Sequence, residues 1–491
     1  MSKMNWLGGY SPLFNNRHWL LLWLGQAVSS LGDAIYRIAL LLLVTELNSS
    51  PLALTAMVAV QTGTGILLGP VAGVLADRHT RRGLMLSAEI VRLLAVLLLV
   101  KARSVPFLIC LALLHSAAKA MSAPARSALI PDLVGEEAYV SAASLNESTI
   151  SLVSLIGPLL GGLVIGRLGF SAAFMLDAVF ITTSISALCL LGWEGLRANS
   201  STMSPATQQG GGAAPSAAHA ASAAVTVGSP APIAASAGSN PTALPEAACG
   251  GNPTPITASA TSGNPAPAGR TSFWHQFCQG ISAIVARPRI VFVLVLLLPV
   301  MIALGALNVL QVDYVRQTLR VSPEQYGLME SIIFFGSLLT TLLLGLRGRQ
   351  LNKGRLLIAS VMLMGATTAT FLLHPGFLVV CAWAFLLGAS DGLLTIPFYG
   401  IVVAETAGDI RGRVMGCFES LLRVGALVGL GLAGLAAARL GSSQVMGIAG
   451  VGVFLIGFFA RWHPQYASLS RAAEGDGHVA AATTGTSAAT D

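Results

Sequence analysis

The sequence predicts an all-α membrane protein with twelve transmembrane helices, arranged as two pseudo-symmetric six-helix halves. Three observations support this prediction. Only 10% of the 491 residues are charged, whereas a soluble domain carries about 25%, and the mean hydropathy is +0.73. Apolar runs of about 20 residues, the length that crosses a hydrocarbon core of ~30 Å, recur along the chain. A long stretch of small and polar residues separates the first six runs from the last six.

The predicted spans and the segments around them divide the whole chain. The spans lie at about 18–45, 52–76, 84–101, 104–122, 143–166, 171–193, 289–314, 327–346, 355–373, 376–400, 414–437 and 441–461. The resulting segments are an N-terminus at 1–17, a first half at 18–193, a linker at 194–288, a second half at 289–461 and a tail at 462–491. Residues 199–270 are almost entirely Ala, Pro, Ser, Gly, Thr and Asn, so we expect a disordered, flexible tether there, and a disordered tail.

The basic residues predict the orientation of the spans. If the N-terminus is cytoplasmic, 19 of the 28 Lys and Arg residues fall on the cytoplasmic side, Lys119 and Arg126 among them. Six fall outside, and Arg37, Arg92 and Arg423 lie within spans. This bias predicts that both termini and the linker are cytoplasmic. Because the cations lie in short loops between apolar runs, they indicate membrane topology and not nucleic-acid binding.

The sequence gives no sign of a metal site, a cofactor or a catalytic centre. Its six cysteines and eight histidines are scattered, without a CxxC pair or a cluster at metal-ligand spacing. A Walker-type GxxxxGK[ST] stretch is missing, so ATP is not the expected energy source. A membrane-embedded enzyme would need a nucleophile with its base or a metal set such as HExxH, and neither is visible. We therefore predict a protein that is not an enzyme.

A short stretch of glycine, aspartate and arginines follows the second span. Its candidate gating residues are Gly73, Asp77, Arg78, Arg81 and Arg82. Gly73 lets a neighbouring helix approach closely, and Asp77 can pair with an arginine or face a helix N-terminus. Breaking such a pair would loosen one face of the protein, as a gate does. The alternative is that Arg81 and Arg82 only set the topology.

The fifth span contains a glycine–proline pattern formed by Gly157, Pro158, Gly161 and Gly162. A proline removes one backbone hydrogen bond of the helix, and the glycines permit a bend and close packing. The pattern is either part of a moving helix or a packing kink, which is common in membrane helices.

Together these motifs resemble the major facilitator superfamily of transporters, and the glycine–proline pattern resembles the signature of its antiporters. Five stretches carry the resemblance: 25–33, 69–82, 124–131, 157–162 and 411–414. They are most similar to the bacterial branch that contains macrolide-efflux and enterobactin-exporter-like proteins. The resemblance covers both predicted halves. It implies two halves that rock around a central cavity, in a multi-pass protein of the bacterial cytoplasmic (inner) membrane.

The resemblance also implies a function. We expect secondary active export of a small, amphipathic organic compound, such as a drug, an antibiotic, a siderophore or another secondary metabolite. Proton antiport with alternating access is the expected mechanism, so the partners are the substrate, protons and membrane lipid, and the protein works as a monomer. The alternatives are an importer or a lipid flippase on the same fold, and a non-transporting membrane receptor or scaffold.

Charged residues inside the predicted spans are the candidate proton-coupling residues. A charge at mid-membrane costs about 2.5–3.5 kcal/mol on insertion scales, so each such residue needs an explanation. Asp33 and Arg37 in the first span stand four residues apart on one helix face, as do Glu419 and Arg423 in the eleventh. Each pair either neutralises itself locally, or contains a carboxylate that gains a proton when its arginine moves away.

Other acids lie in or near the spans. Asp391 has no cation in its own helix and falls near mid-membrane, so it is the second candidate proton site. Glu330, about one turn inside the eighth span, is a further candidate or extends to water. We expect Asp177 to have a structural role, and Glu89 and Arg92 to belong to a cytoplasmic loop network.

Four aromatic residues are candidates for lining a substrate cavity: Tyr36, Phe334, Trp383 and Tyr399. Aromatic residues also collect at membrane–water interfaces, which is the alternative interpretation. The identity of the substrate does not follow from the sequence.

Overall fold

The computed structural model describes residues 11–48, 50–191, 273–347, 352–406 and 408–466. In chain order its helices are α1 (Ser11–Asn15), α2 (Arg17–Leu47), α3 (Pro51–Arg78), α4 (Arg81–Leu99), α5 (Val105–Leu190), α6 (Phe273–Val285), α7 (Pro288–Asp313), α8 (Pro323–Arg347), α9 (Lys353–Ala369), α10 (Phe377–Glu405), α11 (Gly408–Leu440) and α12 (Ser442–Ala460). A π-helical turn, Tyr314–Thr318, continues α7, and a 3₁₀ turn, Thr370–Leu373, continues α9. The predicted tether at 199–270 and most of the tail lie outside the described residues.

Helix α5 consists of three helical segments. The breaks are at Gly135 and Gly169, whose φ angles are 74° and 84°. Glycine adopts these angles readily, whereas a side chain would be strained there. The two breaks divide α5 into the segments 105–134, 136–168 and 170–190, which we assign to three separate spans.

The described residues contain twelve spanning segments. Ten stretches are long and apolar enough to cross a membrane by length and composition. One of these, Ala138–Leu190, holds two spans because Gly169 divides it. The twelfth is α4. Its four charged residues make it less apolar than the other ten stretches, but its 19 residues rise about 28 Å, which is long enough to cross the hydrocarbon core. The predicted fold class, two halves of six helices, is confirmed.

The helices pack mainly within their own half. In the first half, α5 packs against α2, α3 and α4. In the second half, α8 packs on α10, α7 on α11, and α9 on both α10 and α12. The most extensive contacts between the halves are those of α5 with α8 and of α3 with α11.

The two halves touch at one face of the membrane. We call the face at which α2 begins the near face and the opposite one the far face. Gly162, toward the far end of its span, lies against α8, because a Cβ built there would be 2.5 Å from the carbonyl oxygen of Pro323. A Cβ on Gly434 of α11 would likewise be 2.5 Å from Oγ1 of Thr55 at the start of α3. The far face is therefore closed in this conformation.

The fourth span is longer than predicted, which changes the surroundings of two cations. The fourth span was expected to end near residue 122, but the first segment of α5 continues to Gly135. Lys119 and Arg126 therefore both lie within a helix, whereas Arg126 was expected between two spans. The stretch 124–131, which follows the predicted end of the fourth span, contains two prolines, and the helix accommodates both.

Candidate functional site

A cluster of charged and polar side chains lies inside the first half. Its members, called the N-half cluster below, are Asp33, Glu89, Arg92, His115 and Lys119. Helix α2 supplies the first, α4 the next two, and the first segment of α5 the last two. Spacings of three and four residues place the two members from each of α4 and α5 on one helix face. Three helices thus converge on one polar site in an apolar protein.

Arg92 is the centre of this cluster and is only 1% exposed. Its Nη1 donates to both carboxylate oxygens of Glu89, at 3.0 and 2.9 Å, and to Oγ of Ser29 at 3.3 Å. Its Nη2 donates to Oδ1 of Asp33. Its Nε donates to Nε2 of His115 at 3.3 Å. All three guanidinium nitrogens therefore have partners, as a buried charge requires.

Lys119 completes the coordination of Asp33. Its Nζ lies 2.9 Å from Oδ2 of Asp33, the oxygen that Arg92 leaves free. The Lys119 side chain is 40% exposed, so the cluster reaches the surface of the helix bundle through this cation. His115 accepts from Arg92 through Nε2, so that nitrogen carries no proton. The His115 ring stacks on Tyr36 with centroids 4.2 Å apart.

The prediction that Asp33 pairs with Arg37 is wrong. In the described part of the chain Asp33 is bound by Arg92 and Lys119, and Arg37 makes no ion pair. Two cations from neighbouring helices satisfy both oxygens of the carboxylate, which a single residue one turn away does not. The expected loop network of Glu89 and Arg92 is also wrong, because both side chains are buried. The signal for this was an arginine within an apolar run, with a glutamate three residues before it.

In the second half, the predicted pair of Glu419 and Arg423 is confirmed. Arg423 Nη2 lies 3.4 Å from Oε2 of Glu419. The hydroxyl of Tyr399 donates to the other Glu419 oxygen at 3.0 Å, which joins one predicted aromatic residue to a candidate coupling acid. Asp391, on α10 with Tyr399, accepts from Oγ of Ser337 on α8 at 3.2 Å.

Glu330 does not extend to water as one prediction held. It is buried, and its Oε1 accepts hydrogen bonds from Nε2 of Gln311 and from the hydroxyl of Tyr326, both at 2.9 Å. Two neutral donors from α7 and α8 therefore hold this carboxyl group inside the second half.

Three of the four candidate cavity aromatics are packed in the interior. Trp383 is 2% exposed, its Nε1 donates to Oγ1 of Thr368 at 3.3 Å, and its ring meets Phe371 edge-on with centroids 4.9 Å apart. Tyr36 and Phe334 are buried as well. In this conformation the three rings are therefore packed in the protein, and their role as cavity lining stays a prediction.

Two arginines of the gating motif bind the near-face ends of the first and third segments of α5. Arg81 pairs with Asp132 and donates to the carbonyl oxygen of Ala128 at 2.8 Å. Arg82 donates to the carbonyl oxygen of Leu188 at 2.9 Å and to that of the following residue. Carbonyls at a helix C-terminus lack internal partners and favour a cation. The side chains of three motif residues lie outside the described part of the structure: Gly73, Asp77 and Arg78.

The glycines of the fifth span face two different helices. Gly157 and Gly161 lie against α2, the latter with a built Cβ 3.3 Å from Cα of Ile35. Gly162 lies against α8 of the other half. The pattern that includes Pro158 thus permits close packing within the first half and also closure of the far face.

Comparisons with known proteins agree with this architecture. Residues 7–208 match a family model described as Transmembrane secretion effector, and residues 292–486 match the Major Facilitator Superfamily model. The uncharacterized MFS-type transporter YfiS of Bacillus subtilis (strain 168) is 24% identical over 453 residues, which cover 91% of this chain and 93% of YfiS. Macrolide efflux protein A of Streptococcus pyogenes is 26% identical over 163 residues, 32% of this chain and 40% of that protein.

Solved structures show the same fold. A bacterial homologue of the iron transporter ferroportin, in an inward-facing state, has a TM-score of 0.61 at 12% identity, with 91% of this chain and 99% of that chain covered. An auto-inhibited peptide transporter of the POT family has a TM-score of 0.60 at 12% identity, with 92% and 97% covered. Since the two family models cover both six-helix halves, the chain belongs to the major facilitator superfamily of membrane transporters.

Proposed function

We propose that this transporter exports a small, amphipathic organic compound from bacteria and is driven by proton antiport. The N-half cluster is the observation that carries the proposal. Removing ions from water costs several kcal/mol per ion, even when the ions are paired. An ionisable group inside a membrane protein commonly marks the path of an ion or a substrate. A transporter that needed only packing at this point would gain stability from apolar residues.

The cluster contains one fixed and one exchangeable partner of Asp33. Arg92 is buried and bonded on all three nitrogens, so it stays in place. Lys119 is exposed and joins the cluster through Asp33. When a carboxyl group of the site takes up a proton, the attraction that holds Lys119 weakens, and the first segment of α5 is released from α2. Protonation thereby favours one of two arrangements of these helices, as alternating access requires.

The orientation belongs to the same proposal. When Lys119 and Arg126 are counted with the helices, most of the remaining loop cations lie on the near face, including Arg81 and Arg82. The positive-inside rule then makes the near face cytoplasmic, in the bacterial inner membrane, with both termini inside. The closed far face is consequently the external one, and this conformation receives substrate from the cytoplasm.

The proposed substrate class is based on sequence similarity to a relative. One relative is a macrolide efflux protein, so a macrolide is the first probe. The second half offers polar groups for an amphipathic ligand at Tyr399 and Glu419, which are bonded to each other and partly exposed.

Purified protein in lipid vesicles tests the proposal with radiolabelled erythromycin as the probe. We expect the vesicles to accumulate the probe when their lumen is acidic, and a protonophore to abolish this accumulation. The Asp33→Asn variant should bind the probe but not accumulate it, with Asp391→Asn as the matched control. If Asp391→Asn alone loses accumulation, the coupling site lies in the second half. If both variants accumulate the probe normally, these carboxylates are structural and the mechanism is wrong. Accumulation of the probe when the lumen is alkaline would indicate an importer.

A further inference from the structure

Asp177 is a buried carboxyl group that the N-half cluster leaves out. It lies in the third segment of α5 and is 0% exposed. Neither of its carboxyl oxygens has a hydrogen-bond partner among the described residues. A Cβ on Gly32 would overlap Oδ1 of Asp177, so this carboxyl group is directed at α2. The hydroxyl of Tyr36, one turn along α2, is also buried without a partner.

The charged groups that face Asp177 come from three helical segments. They are Asp33 of α2, Glu89 and Arg92 of α4, and Lys119 in the first segment of α5. Both cations are already engaged, since Arg92 binds the two other acids and Lys119 binds Asp33. Two cations therefore serve two carboxylates at this point, and the third carboxyl group receives no donor.

A carboxylate that is buried without a donor is strongly disfavoured, and such a group becomes neutral by binding a proton. We propose that Asp177 is the residue that carries the transported proton. This inference rests on the proposed function. With the far face closed, the proton sits on an Asp177 oxygen, shielded from water by α2.

Release of this proton is coupled to the cluster. When α2 and the third segment of α5 separate, the O–H bond of Asp177 breaks, the proton passes to cytoplasmic water, and the electron pair stays on the carboxylate. The new anion is then stabilised by the free Tyr36 hydroxyl, and by Lys119 once that cation leaves Asp33. Asp33 and Asp177 thus compete for one mobile cation, and this competition links proton release to helix movement.

Infrared difference spectroscopy on the purified, vesicle-embedded protein tests the inference. A titration from about pH 6, where exposed carboxyl groups are already ionised, to alkaline pH should show the carbonyl stretch of a protonated carboxylic acid in the wild-type protein. Asp177→Asn should abolish this band, whereas Asp391→Asn, a matched substitution of another intramembrane aspartate, should keep it. In the erythromycin assay Asp177→Asn should exchange the probe at a rate independent of pH but fail to accumulate it.

The outcomes separate this inference from the proposed function. Because asparagine resembles a neutral carboxyl group, Asp177→Asn should melt at nearly the wild-type temperature. A large drop in melting temperature would show that a charge is needed at this position and would overturn the inference. A band that persists in Asp177→Asn, or one that disappears in Asp391→Asn, places the proton elsewhere. Normal gradient-driven accumulation by Asp177→Asn also overturns it. A wild-type protein that accumulates no probe under any pH gradient overturns the proposed function itself.

Discussion

Asp33 binds Arg92, which lies 59 residues further along the chain on another helix, and leaves Arg37 on its own helix without an ion pair among the described residues. The bond therefore connects α2 to α4, and Lys119 extends it to α5. A charge that joins helices responds when those helices move, whereas a pair within one helix moves as a unit. This difference makes the N-half cluster suitable for coupling.

Replacing Arg92 should destabilise the protein far more than replacing Arg37. Arg92→Met leaves Asp33 and Glu89 buried without their guanidinium partner, and breaking a buried pair costs about 3–5 kcal/mol. Arg37→Met removes a cation without an ion pair, so its effect should be small. Thermal unfolding of both variants in the same detergent measures the difference. Equal shifts in melting temperature would contradict the central position of Arg92.

A side chain at Gly162 should hold the far face open. A valine there meets the backbone of Pro323, so the two halves must separate at this face. Spin labels at Lys101 and Leu440, exposed on the far side of the two halves, should be further apart in Gly162→Val than in the parent protein. Gly431→Val is the matched control, because a Cβ at Gly431 meets nothing within 4 Å. An unchanged distance distribution in Gly162→Val would rule out this role.

Exchanging the charges of Arg81 and Asp132 should test the near-face contact. Both side chains are about half exposed, at 41% and 49%, and an exposed pair contributes roughly 0–1 kcal/mol. Arg81→Glu should therefore slow erythromycin transport and leave the melting temperature nearly unchanged. Adding Asp132→Arg should restore much of the rate. Failure of the double variant to recover would mean that Arg81 acts through its bond to Ala128 instead.

Trp383 should behave as a core residue and not as part of a binding site. Removing a buried tryptophan side chain typically costs about 3–5 kcal/mol, so Trp383→Ala should melt at a markedly lower temperature. The dissociation constant for erythromycin, measured below that temperature, should stay unchanged. Tyr399→Phe is the complementary variant, because it removes the hydroxyl that binds Glu419. A single hydrogen bond contributes only about 1 kcal/mol, so this variant should melt close to the temperature of the parent protein. A variant of Trp383 that keeps its stability but loses affinity would reverse this assignment.

The sequence was sufficient for features that depend on distance along the chain. Hydropathy located the spans, and four-residue spacing identified the pair of Glu419 and Arg423. It was insufficient where the rotation of one helix against another decides the contact. Asp33 had a plausible partner at Arg37, and only the packing of α4 and α5 shows that Arg92 and Lys119 take its place. The same limit applies to aromatic residues, whose position in a span does not reveal which neighbour covers them.

The described helix ends on either side of the connecting segment are each bonded to their own half. Arg82 binds the carbonyl oxygens of Leu188 and Cys189, where the described part of the first half ends. On the other side, Arg413 of α11 donates to Oε1 of Gln279 in α6, at 3.0 Å. Neither anchor depends on the chain between them being continuous. We therefore expect the two halves to assemble in the membrane when they are produced as separate polypeptides, which would make a fission of this gene, or the fusion of two ancestral ones, structurally permissible.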